Sequence, residues 1–391
     1  TGNELEDTNA AFLQQTAAWI KKWAPHQLVV DGTYKKINAF ALNDPHVDIV
    51  SNHYYTNADN NHPDQVKKDL TAAAGKKVYM VGEFGLLDAQ QLNAIMQSIV
   101  HSEVNGAQAA GGLIWGFRGH RHDGGFYWHK ESTGHYSYHL PGFPVDGKAN
   151  QEMEVVDLVR TAAAQMNGQE KAPPLPKPDA PKLRATDSPF AINWLGAAVG
   201  RAYDVERADS ASGPWKIVGR DISDGVNEWN PQTMDLFRDD YRSLQLGNTY
   251  YYRVIAKNES GSSSPSNVIS VKHTQANQAP EVTLVETLTT SQDQGVQLSA
   301  SWRDDGLPDG NVKVSWSNGG NAQAHICATD KAETRAWFSA PGEYALTFSA
   351  DDGLLKSSKT VKVTVTEAVG KAPADYCRFS GGVVNVTDGK I

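Results

Sequence analysis

The residue with the strongest case for a chemical role is Glu83. It lies near the end of the apolar run KKVYMVGEFG, directly after Gly82 and two residues before Gly85. A carboxylate at the end of a buried strand is costly unless it pairs with a cation or takes part in chemistry. We therefore predict that Glu83 is a catalytic carboxylate and that the two glycines leave room for a substrate beside it. A structural carboxylate that pairs with a lysine or arginine is the alternative.

Other candidate residues also lie in apolar runs or near the start of the chain. His53 and Tyr55 close the run VDIVSNHYY, Trp115 lies in GGLIWGF, and Asn3 and Glu4 stand in TGNELED. Each key residue has a plainer explanation. Glu4 would simply favour a helix start, His53 would be a packed core histidine, and Trp115 would be a core aromatic.

Strand-like runs alternate with helical patterns over residues 1–167. A helix is predicted where apolar side chains recur from Phe12 to Trp23, and a last helix is predicted at about 151–166. Between them lie four strand-like runs: HQLVV, VDIVSNHYY, KKVYMVGEFG and GGLIWGF. Because these runs are apolar on both faces, the pattern predicts a parallel sheet with helices outside it.

The composition changes after residue 167. A proline-rich linker, residues 168–181, is expected to be a semi-rigid extended spacer. Short runs with period-two patterning then predict two antiparallel β-sandwiches, at 182–275 and 279–367, followed by a polar tail at 368–391.

The stretches that contain the candidate residues are TGNELED, VDIVSNHYY, KKVYMVGEFG and GGLIWGF. They resemble the second half of the (β/α)8 barrel of retaining glycoside hydrolases, most closely the mannanase-like members of glycoside hydrolase family 5. In that family an Asn-Glu pair ends strand four, His-x-Tyr ends strand six, a glutamate ends strand seven and a tryptophan lies on strand eight. This chain has matching residues in the same order, at 3–4, 53–55, 83 and 115. The resemblance implies a multidomain fold: a partial (β/α)8 barrel of about four strands plus two antiparallel β-sandwiches.

The resemblance also implies a retaining hydrolase of β-1,4-linked polysaccharide, with β-mannan as the first substrate and β-glucan as the second. Glu83 would be the nucleophile and Glu4 the acid/base, about 5 Å apart across the open end of the barrel. Tyr55 would hydrogen-bond Glu83 and keep it ionised, and the charge of Glu83 would help to keep Glu4 protonated. Trp115 would stack beneath the sugar.

A histidine-rich segment, residues 119–143, follows the fourth run and is expected to be a long substrate loop. A metal site is the alternative, but the histidine spacings fit no standard ligand pattern, so we expect neither a metal nor another cofactor. The side chains expected to bind sugar are Asn3, His53, Tyr55, Trp115, Arg118, Asp123, Tyr127 and Trp128.

The resemblance begins at the fourth barrel strand, whereas such a barrel has eight strands and about 250 residues. We therefore expect this chain to be part of a longer protein and to have little or no hydrolase activity alone. Robust turnover of β-mannan or carboxymethylcellulose by the isolated chain would be the contrary result. The alternative function is a non-catalytic carbohydrate-binding or adhesion protein with a degenerate half barrel.

The charge and hydropathy of the chain argue against some classes of binding partner. The net charge of −9 and the pI near 5.7 argue against nucleic acid and anionic membrane surfaces. No apolar run reaches the roughly 18 residues that a membrane helix needs, so no membrane insertion is expected. The expected partner is a polysaccharide or oligosaccharide, the expected state a monomer, and the expected location secreted or cell-surface.

The two sandwich regions have resemblances of their own. The first resembles a fibronectin type III domain, because Leu244, Gly247 and Tyr250 match its tyrosine-corner pattern and Trp194 fits its core. The second, which contains PGEYALTFSADDG, resembles polycystic-kidney-disease or other immunoglobulin-like modules. Such modules are expected to act as spacers or to bind glycan or protein.

Two features of the last module stay open at this point. Cys327 and Cys377 either form a disulfide in an exported protein or are two free thiols. A set of five aspartates either gathers a calcium ion or lies in solvated turns, and we favour the turns: Asp304, Asp305, Asp309, Asp351 and Asp352.

Overall fold

The computed structural model describes residues 10–34, 36–55, 62–122, 124–127, 130–131, 134–135, 137–143, 151–226, 235–371 and 377. These residues form two compact units. The first holds the described residues up to Asp239 together with Thr249–Val271, and the second holds Asp240–Asn248 and the described residues from Lys272 onward. Strands far outnumber helices, so the protein is β-rich, and the two units show that it has more than one domain. Within the described ranges, no helix is both long enough and apolar enough to cross a membrane.

The elements up to residue 167 include all four α-helices of the described chain. They are α1 (Ala10–Trp23), β1 (Val30–Asp31), β2 (Ile49–Tyr54), α2 (His62–Ala73), β3 (Val78–Gly85), α3 (Ala89–His101), β4 (Glu103–Val104), β5 (Ala107–Gln108), β6 (Gly112–Trp115), β7 (Phe126–Tyr127), β8 (Lys130–Glu131), β9 (Gly134–His135) and α4 (Glu152–Met166).

Four of these strands form a parallel sheet in the order β1, β2, β3, β6. Helix α2 lies between β2 and β3 in the chain, and α3 lies between β3 and β6. Strand neighbours therefore follow chain order, as expected when helical crossovers connect parallel strands. In the described residues β1 and β6 are the edges of this sheet.

The core of this sheet lies on the face that the helices cover. Val81 and Phe84 are buried there in one cluster with side chains of α2 and α3. Side chains at alternate strand positions point to the opposite face. On that face Val30, Val78 and Leu113 are 50%, 49% and 60% exposed. The described sheet is thus covered on one face and open on the other.

Helix α1 and strand β1 only partly follow the sequence pattern. The helix forms as predicted, but Phe12, Trp19 and Trp23 are exposed, whereas Ala17 is buried. The predicted strand HQLVV is mostly irregular, because pairing with β2 begins only at Val30. Local periodicity therefore predicted the helix but not the side that it buries.

A buried carboxylate, Asp69, ties α2 to the sheet. Asp69 Oδ2 accepts a hydrogen bond from Asn52 Nδ2 at 2.7 Å and another from the Tyr54 hydroxyl at 2.5 Å. The Tyr54 hydroxyl lies 2.6 Å from the Tyr79 hydroxyl, and Gln65 Nε2 donates to Asp69 Oδ1 at 2.9 Å. Burial raises the pKa of both tyrosines, so both hydroxyls keep their protons. The network is fully buried at its centre, where Asp69 is 5% exposed.

We expect Asp69→Ala to lower the free energy of unfolding by about 3 kcal/mol, because it removes the buried acceptor of an amide and a hydroxyl. The matched control is Asp157→Ala on α4. Its side chain is 67% exposed and lies 3.5 Å from Arg160, and we expect a change within about 0.5 kcal/mol. Denaturant unfolding of both variants measures the difference, and equal losses would contradict the structural role of Asp69.

The strands between residues 168 and 272 form further sheets of the first unit. They are β10 (Lys182–Leu183), β11 (Trp194–Leu195), β12 (Ala202–Ala208), β13 (Lys216–Ile222), β14 (Gly225–Val226), β15 (Thr249–Asn258), β16 (Gly261–Ser262) and β17 (Ile269–Lys272).

This region has a five-stranded sheet built from β13, β12, β15, β16 and β17, and a two-stranded sheet of β10 and β11. Strand β12 pairs antiparallel with both β13 and β15. Trp194 is fully buried between the sheets, with its ring 5.4 Å from that of Tyr203. Tyr250 is also buried; the loop-tying role of its hydroxyl stays a prediction. We call the described residues of 182–239, together with 249–271, the first sandwich.

The proline-rich linker is held by hydrogen bonds at its carbonyls. Arg160 of α4 donates to the Pro173 carbonyl oxygen at 2.5 Å, and the Ser260 hydroxyl donates to the Leu175 carbonyl oxygen at 2.5 Å. The segment is therefore fastened to the helix on one side and to the first sandwich on the other, which a free spacer would not be.

The remaining strands belong to the second unit. They are β18 (Glu281–Leu284), β19 (Thr287–Ser291), β20 (Val296–Arg303), β21 (Lys313–Ser317), β22 (Ala324–Ile326), β23 (Glu333–Phe338), β24 (Gly342–Asp351) and β25 (Lys356–Thr366).

These strands form two four-stranded sheets, β18-β20-β23-β22 and β19-β25-β24-β21. Trp316, Leu346 and Phe348 lie in the core of this unit. The expectation of purely antiparallel pairing is wrong for one pair, because β19 runs parallel to β25. The chain leaves the first sheet after β18 and joins the second beside its last strand, which produces the parallel pair.

The two cysteines are joined. Cys327 and Cys377 form a disulfide with an S–S distance of 1.98 Å and a Cα separation of 5.5 Å. The alternative of two free thiols is therefore wrong.

Candidate active site at the ends of the parallel strands

Three of the predicted site residues meet at the carboxyl ends of β2 and β3. The Tyr55 hydroxyl donates a hydrogen bond to Glu83 Oε2, and His53 Nδ1 lies 3.6 Å from the same oxygen. The His53 side chain is 9% exposed, whereas that of Glu83 is 33% exposed. Glu83 is thus held by neighbours on one side and reached by solvent on the other.

A bulge in β3 aims Glu83 at this cluster. Asn52 pairs with Val81, but the next residue, His53, pairs with Glu83, so β3 has one extra residue at this point. Strict alternation would put Glu83 on the same face as Val81, which is the helix-covered face. The extra residue instead puts Gly82 and Glu83 together on the open face and returns Phe84 to the core.

The two glycines serve contacts within the protein. A Cβ on Gly82 would lie 2.7 Å from Ser51 Oγ and 2.9 Å from the His53 ring, and a Cβ on Gly85 would lie 2.5 Å from the Trp115 carbonyl oxygen. Our expectation that the glycines make room for substrate is therefore wrong. They make room for His53 and for the backbone of β6.

Two residues, one at the end of β1 and one shortly after it, also lie near the cluster, and sequence reasoning missed them. The Tyr34 ring centroid lies 6.1 Å from that of His53 and 6.4 Å from that of Tyr55. The Asp31 carboxylate accepts from the Thr33 hydroxyl at 2.8 and 2.9 Å, and its charge acts on His53. Their position after the run HQLVV was the signal that would have found them, since strand ends carry site residues in such folds.

Burial sets the protonation of two of these groups. Desolvation lowers the pKa of His53 from its ordinary value of 6.5, although the negative charge of Glu83 opposes the shift. Desolvation also raises the pKa of Asp31 above 3.8, and the Thr33 hydrogen bond opposes that shift. His53 is therefore a neutral imidazole at neutral pH.

The other described candidates lie along β6 and the segment after it. Trp115 closes β6 on the open face, is 41% exposed, and its peptide bond to Gly116 is cis. Arg118 is exposed, and its N–H donates to the Tyr138 carbonyl oxygen at 2.9 Å. The backbone of Tyr127 pairs with the first sandwich through β7 and β14. Trp115 thus adjoins the cluster through Gly85, whereas Arg118 and Tyr127 make their described contacts elsewhere.

Four candidates fall outside the described residues: Asn3, Glu4, Asp123 and Trp128. The predicted distance between Glu4 and Glu83 therefore stays a prediction. Within the described part of the chain, no three His, Cys, Asp or Glu side chains are grouped so as to hold a metal ion.

Comparisons with known proteins give only distant similarities. No protein-family model matches the chain, and no curated protein matches it. Among solved structures, the endo-β-1,4-mannanase from Thermotoga petrophila is similar over 93% of this chain and 62% of its own, at 10% identity and a TM-score of 0.29. The chain thus spans less than two thirds of that mannanase.

Two other solved structures are similar to the β-rich part. The fibronectin(III)-like modules of Clostridium thermocellum CbhA match 45% of this chain and 84% of their own, at 15% identity and a TM-score of 0.20. A PKD domain from a human protein matches 25% of this chain and 90% of its own, at 19% identity and a TM-score of 0.20. TM-scores this low assign neither a fold nor a function to the chain.

We expect Gly82→Ala to destabilise the first unit by roughly 2 kcal/mol, because the new methyl group overlaps Ser51 and His53, which are both buried. Gly119→Ala is the matched control, since a Cβ there meets no atom within 4 Å, and we expect it to change the stability by less than about 0.5 kcal/mol. Denaturant unfolding gives both values. An unchanged stability for Gly82→Ala would show that the bulge does not depend on glycine.

The lowered pKa values of His53 and His62 predict a pH-dependent stability. Burial favours the neutral ring in the folded state, so this contribution is fully present above pH 6.5 and is lost progressively as the pH falls below it. We expect the free energy of unfolding to fall between about pH 7 and about pH 5, and the slope to be smaller in the variant His53→Gln/His62→Gln. An identical slope in that variant would contradict the assignment.

Proposed function

We propose that this chain supplies the nucleophile side of a retaining glycoside hydrolase site that acts on β-1,4-linked polysaccharide, with β-mannan first and β-glucan second. The observation that carries the proposal is the setting of Glu83. It is a partly exposed carboxylate at the end of a parallel strand, fixed by a tyrosine hydroxyl and placed beside a neutral histidine. This combination is what a carboxylate nucleophile needs.

The two contacts of Glu83 distinguish the roles of its two carboxylate oxygens. Tyr55 and His53 both approach Oε2, so we assign Oε1 to the attack. A hydrogen bond from a hydroxyl stabilises the ionised carboxylate and limits its rotation. Because the bond is donated from the end of the neighbouring strand β2, the direction of attack is set by the sheet itself.

The proposed reaction has two balanced steps. In the first, Glu83 Oε1 forms a bond to the anomeric carbon while the glycosidic bond breaks and Glu4 transfers its proton to the leaving oxygen. In the second, Glu4 takes a proton from water, the hydroxide equivalent attacks the anomeric carbon, and the bond to Glu83 breaks. The products are two shorter sugars, and both carboxyls return to their starting states.

Aromatic rings beside Glu83 are suited to a sugar. Tyr34 stands next to His53 and Tyr55 at the end of β1, and Trp115 stands at the end of β6 with a partly exposed ring. The C–H faces of a pyranose lie well on such rings. We assign Tyr34 and Trp115 to sugar contacts on the two sides of the nucleophile.

We extend the proposal to the location of the protein, which we place outside the cell or at its surface. The disulfide between Cys327 and Cys377 supports this placement, because such bonds persist in oxidising compartments.

The test is Glu83→Gln in the intact protein that carries this chain, with β-1,4-mannan as the substrate. We expect kcat to fall at least about 1,000-fold while KM changes by less than about threefold, because the amide keeps the shape but cannot act as the nucleophile. Glu103→Gln is the control, since Glu103 is an exposed carboxylate of the same region, and we expect it to keep full activity.

Covalent labelling tests the retaining mechanism separately. A 2-deoxy-2-fluoro-β-mannosyl fluoride should leave one glycosyl group on the peptide that contains Glu83, as shown by mass spectrometry. Labelling of a different carboxylate would overturn the assignment. Binding of mannan without hydrolysis would favour the alternative, a non-catalytic carbohydrate-binding protein.

A further inference from the structure

The segment that leads out of β6 is paired with the first sandwich. Strand β7 runs parallel to β14 of that sandwich. The Phe126 N–H donates to the Asp224 carbonyl oxygen at 3.0 Å, and the Gly125 N–H donates to the Trp194 carbonyl oxygen at 3.3 Å. The part of the histidine-rich loop that the structure describes is therefore attached to the sandwich by backbone hydrogen bonds.

Gly124 shows how close this approach is. Its φ is +105°, and a Cβ there would lie 2.5 Å from the Trp194 carbonyl oxygen and 2.6 Å from Asn193 Oδ1. Both the backbone conformation and the lack of space require glycine. The segment and the sandwich are thus shaped to fit each other at this point.

A buried hydrogen bond between two side chains lies beside these backbone bonds. His120 Nε2 is 2.7 Å from Asp224 Oδ2, and Asp224 is fully buried. A Cβ on Gly196 would lie 2.0 Å from that oxygen and 2.4 Å from the Tyr203 hydroxyl. Burial and the charge of Asp224 raise the pKa of Tyr203, so its hydroxyl keeps its proton. A buried carboxylate is costly without partners; the Tyr203 hydroxyl supplies one from within the sandwich, and His120 supplies another from the segment after β6.

The same segment, residues 116–126, follows directly after Trp115, the last residue of β6. The Arg118 N–H donates to the Tyr138 carbonyl oxygen at 2.9 Å, and the Tyr138 N–H donates to the Gly116 carbonyl oxygen at 3.1 Å. His120 follows two residues after Arg118. The chain that leaves Trp115 is therefore fixed first by Tyr138 and then by the sandwich.

We propose that the first sandwich helps to form the candidate site and that Asp224 is a positioning residue for that site. Through His120, Asp224 holds the described residues of segment 116–126 in place and so fixes the direction in which Trp115 presents its ring to a sugar. The inference rests on the proposed function only for the chemical class of the ligand.

Hydrogen exchange in the intact protein tests the positioning directly. We expect the amides of Arg121, Gly125 and Phe126 to exchange at least about tenfold faster in Asp224→Ala and in His120→Ala, with the amides of β3 unchanged. Asp224→Asn keeps an oxygen acceptor and should restore most of the protection. Asp221→Asn is the matched control, because Asp221 lies three residues away with a side chain that is 74% exposed, and we expect no change.

The truncation of His120 keeps the test decisive if Asp224→Ala does not fold. Since the two side chains act as a pair, the double variant should exchange no faster than the single ones. Unchanged protection of residues 118–126 in His120→Ala, with β3 intact, would overturn the proposal.

Sugar affinity tests the consequence for the site, with mannohexaose as the probe and calorimetry as the measurement. We expect His120→Ala to weaken binding about tenfold and Asp221→Asn to leave it unchanged. Faster exchange with unchanged affinity would overturn the role of the sandwich in the site. If the parent protein binds no mannohexaose, the proposed function fails, while the exchange experiment still decides whether Asp224 positions the segment.

Discussion

The direction of Glu83 depends on one extra residue in β3. Val81 and Phe84 are both anchored in the core under the helices, and two residues rather than one lie between them. Moving Phe84 to the open face would expose a large apolar side chain, at a cost of roughly 2 kcal/mol. The core therefore enforces the bulge, and the bulge places the carboxylate beside His53. The placement of the Glu83 carboxylate and the packing of the core are here a single constraint.

The strand ends of the site were predictable from the sequence, but the bulge was not. His53, Tyr55 and Glu83 stand out because polar residues close apolar runs, and the structure brings these three together. A simple alternation through YMVGEFG puts Glu83 on the wrong face. The one hint of a bulge in the sequence is a glycine inside a strand. The close packing of Ser51 and His53 against Gly82 is visible only in the structure.

The contacts of the histidine-rich loop could not be predicted from the sequence, because its partners are distant in the chain; its role as a substrate loop stays a prediction. Its composition is typical of a sugar groove or a metal site, yet two of its histidines lie against carboxylates from other segments. His120 meets Asp224, and His139 Nδ1 lies 3.4 Å from Glu152 Oε1 in the buried start of α4. A single sequence shows that such histidines exist but not which carboxylate each will meet. The same limit hid the hydrogen bonds that fasten the proline-rich linker.

Strand β2 connects two carboxylates with opposite properties. Asn52 points to the helix side and donates to Asp69, whose two oxygens together accept three hydrogen bonds in a buried site. The next residue, His53, points to the open side and approaches one oxygen of Glu83. Both oxygens of Asp69 therefore have hydrogen-bond partners inside the protein, whereas the Glu83 side chain is 33% exposed. Asn52 and Tyr54 flank His53 in the chain, and both donate to Asp69, so these hydrogen bonds anchor the part of β2 that carries His53. The buried side of the sheet thereby contributes to the order of the open side.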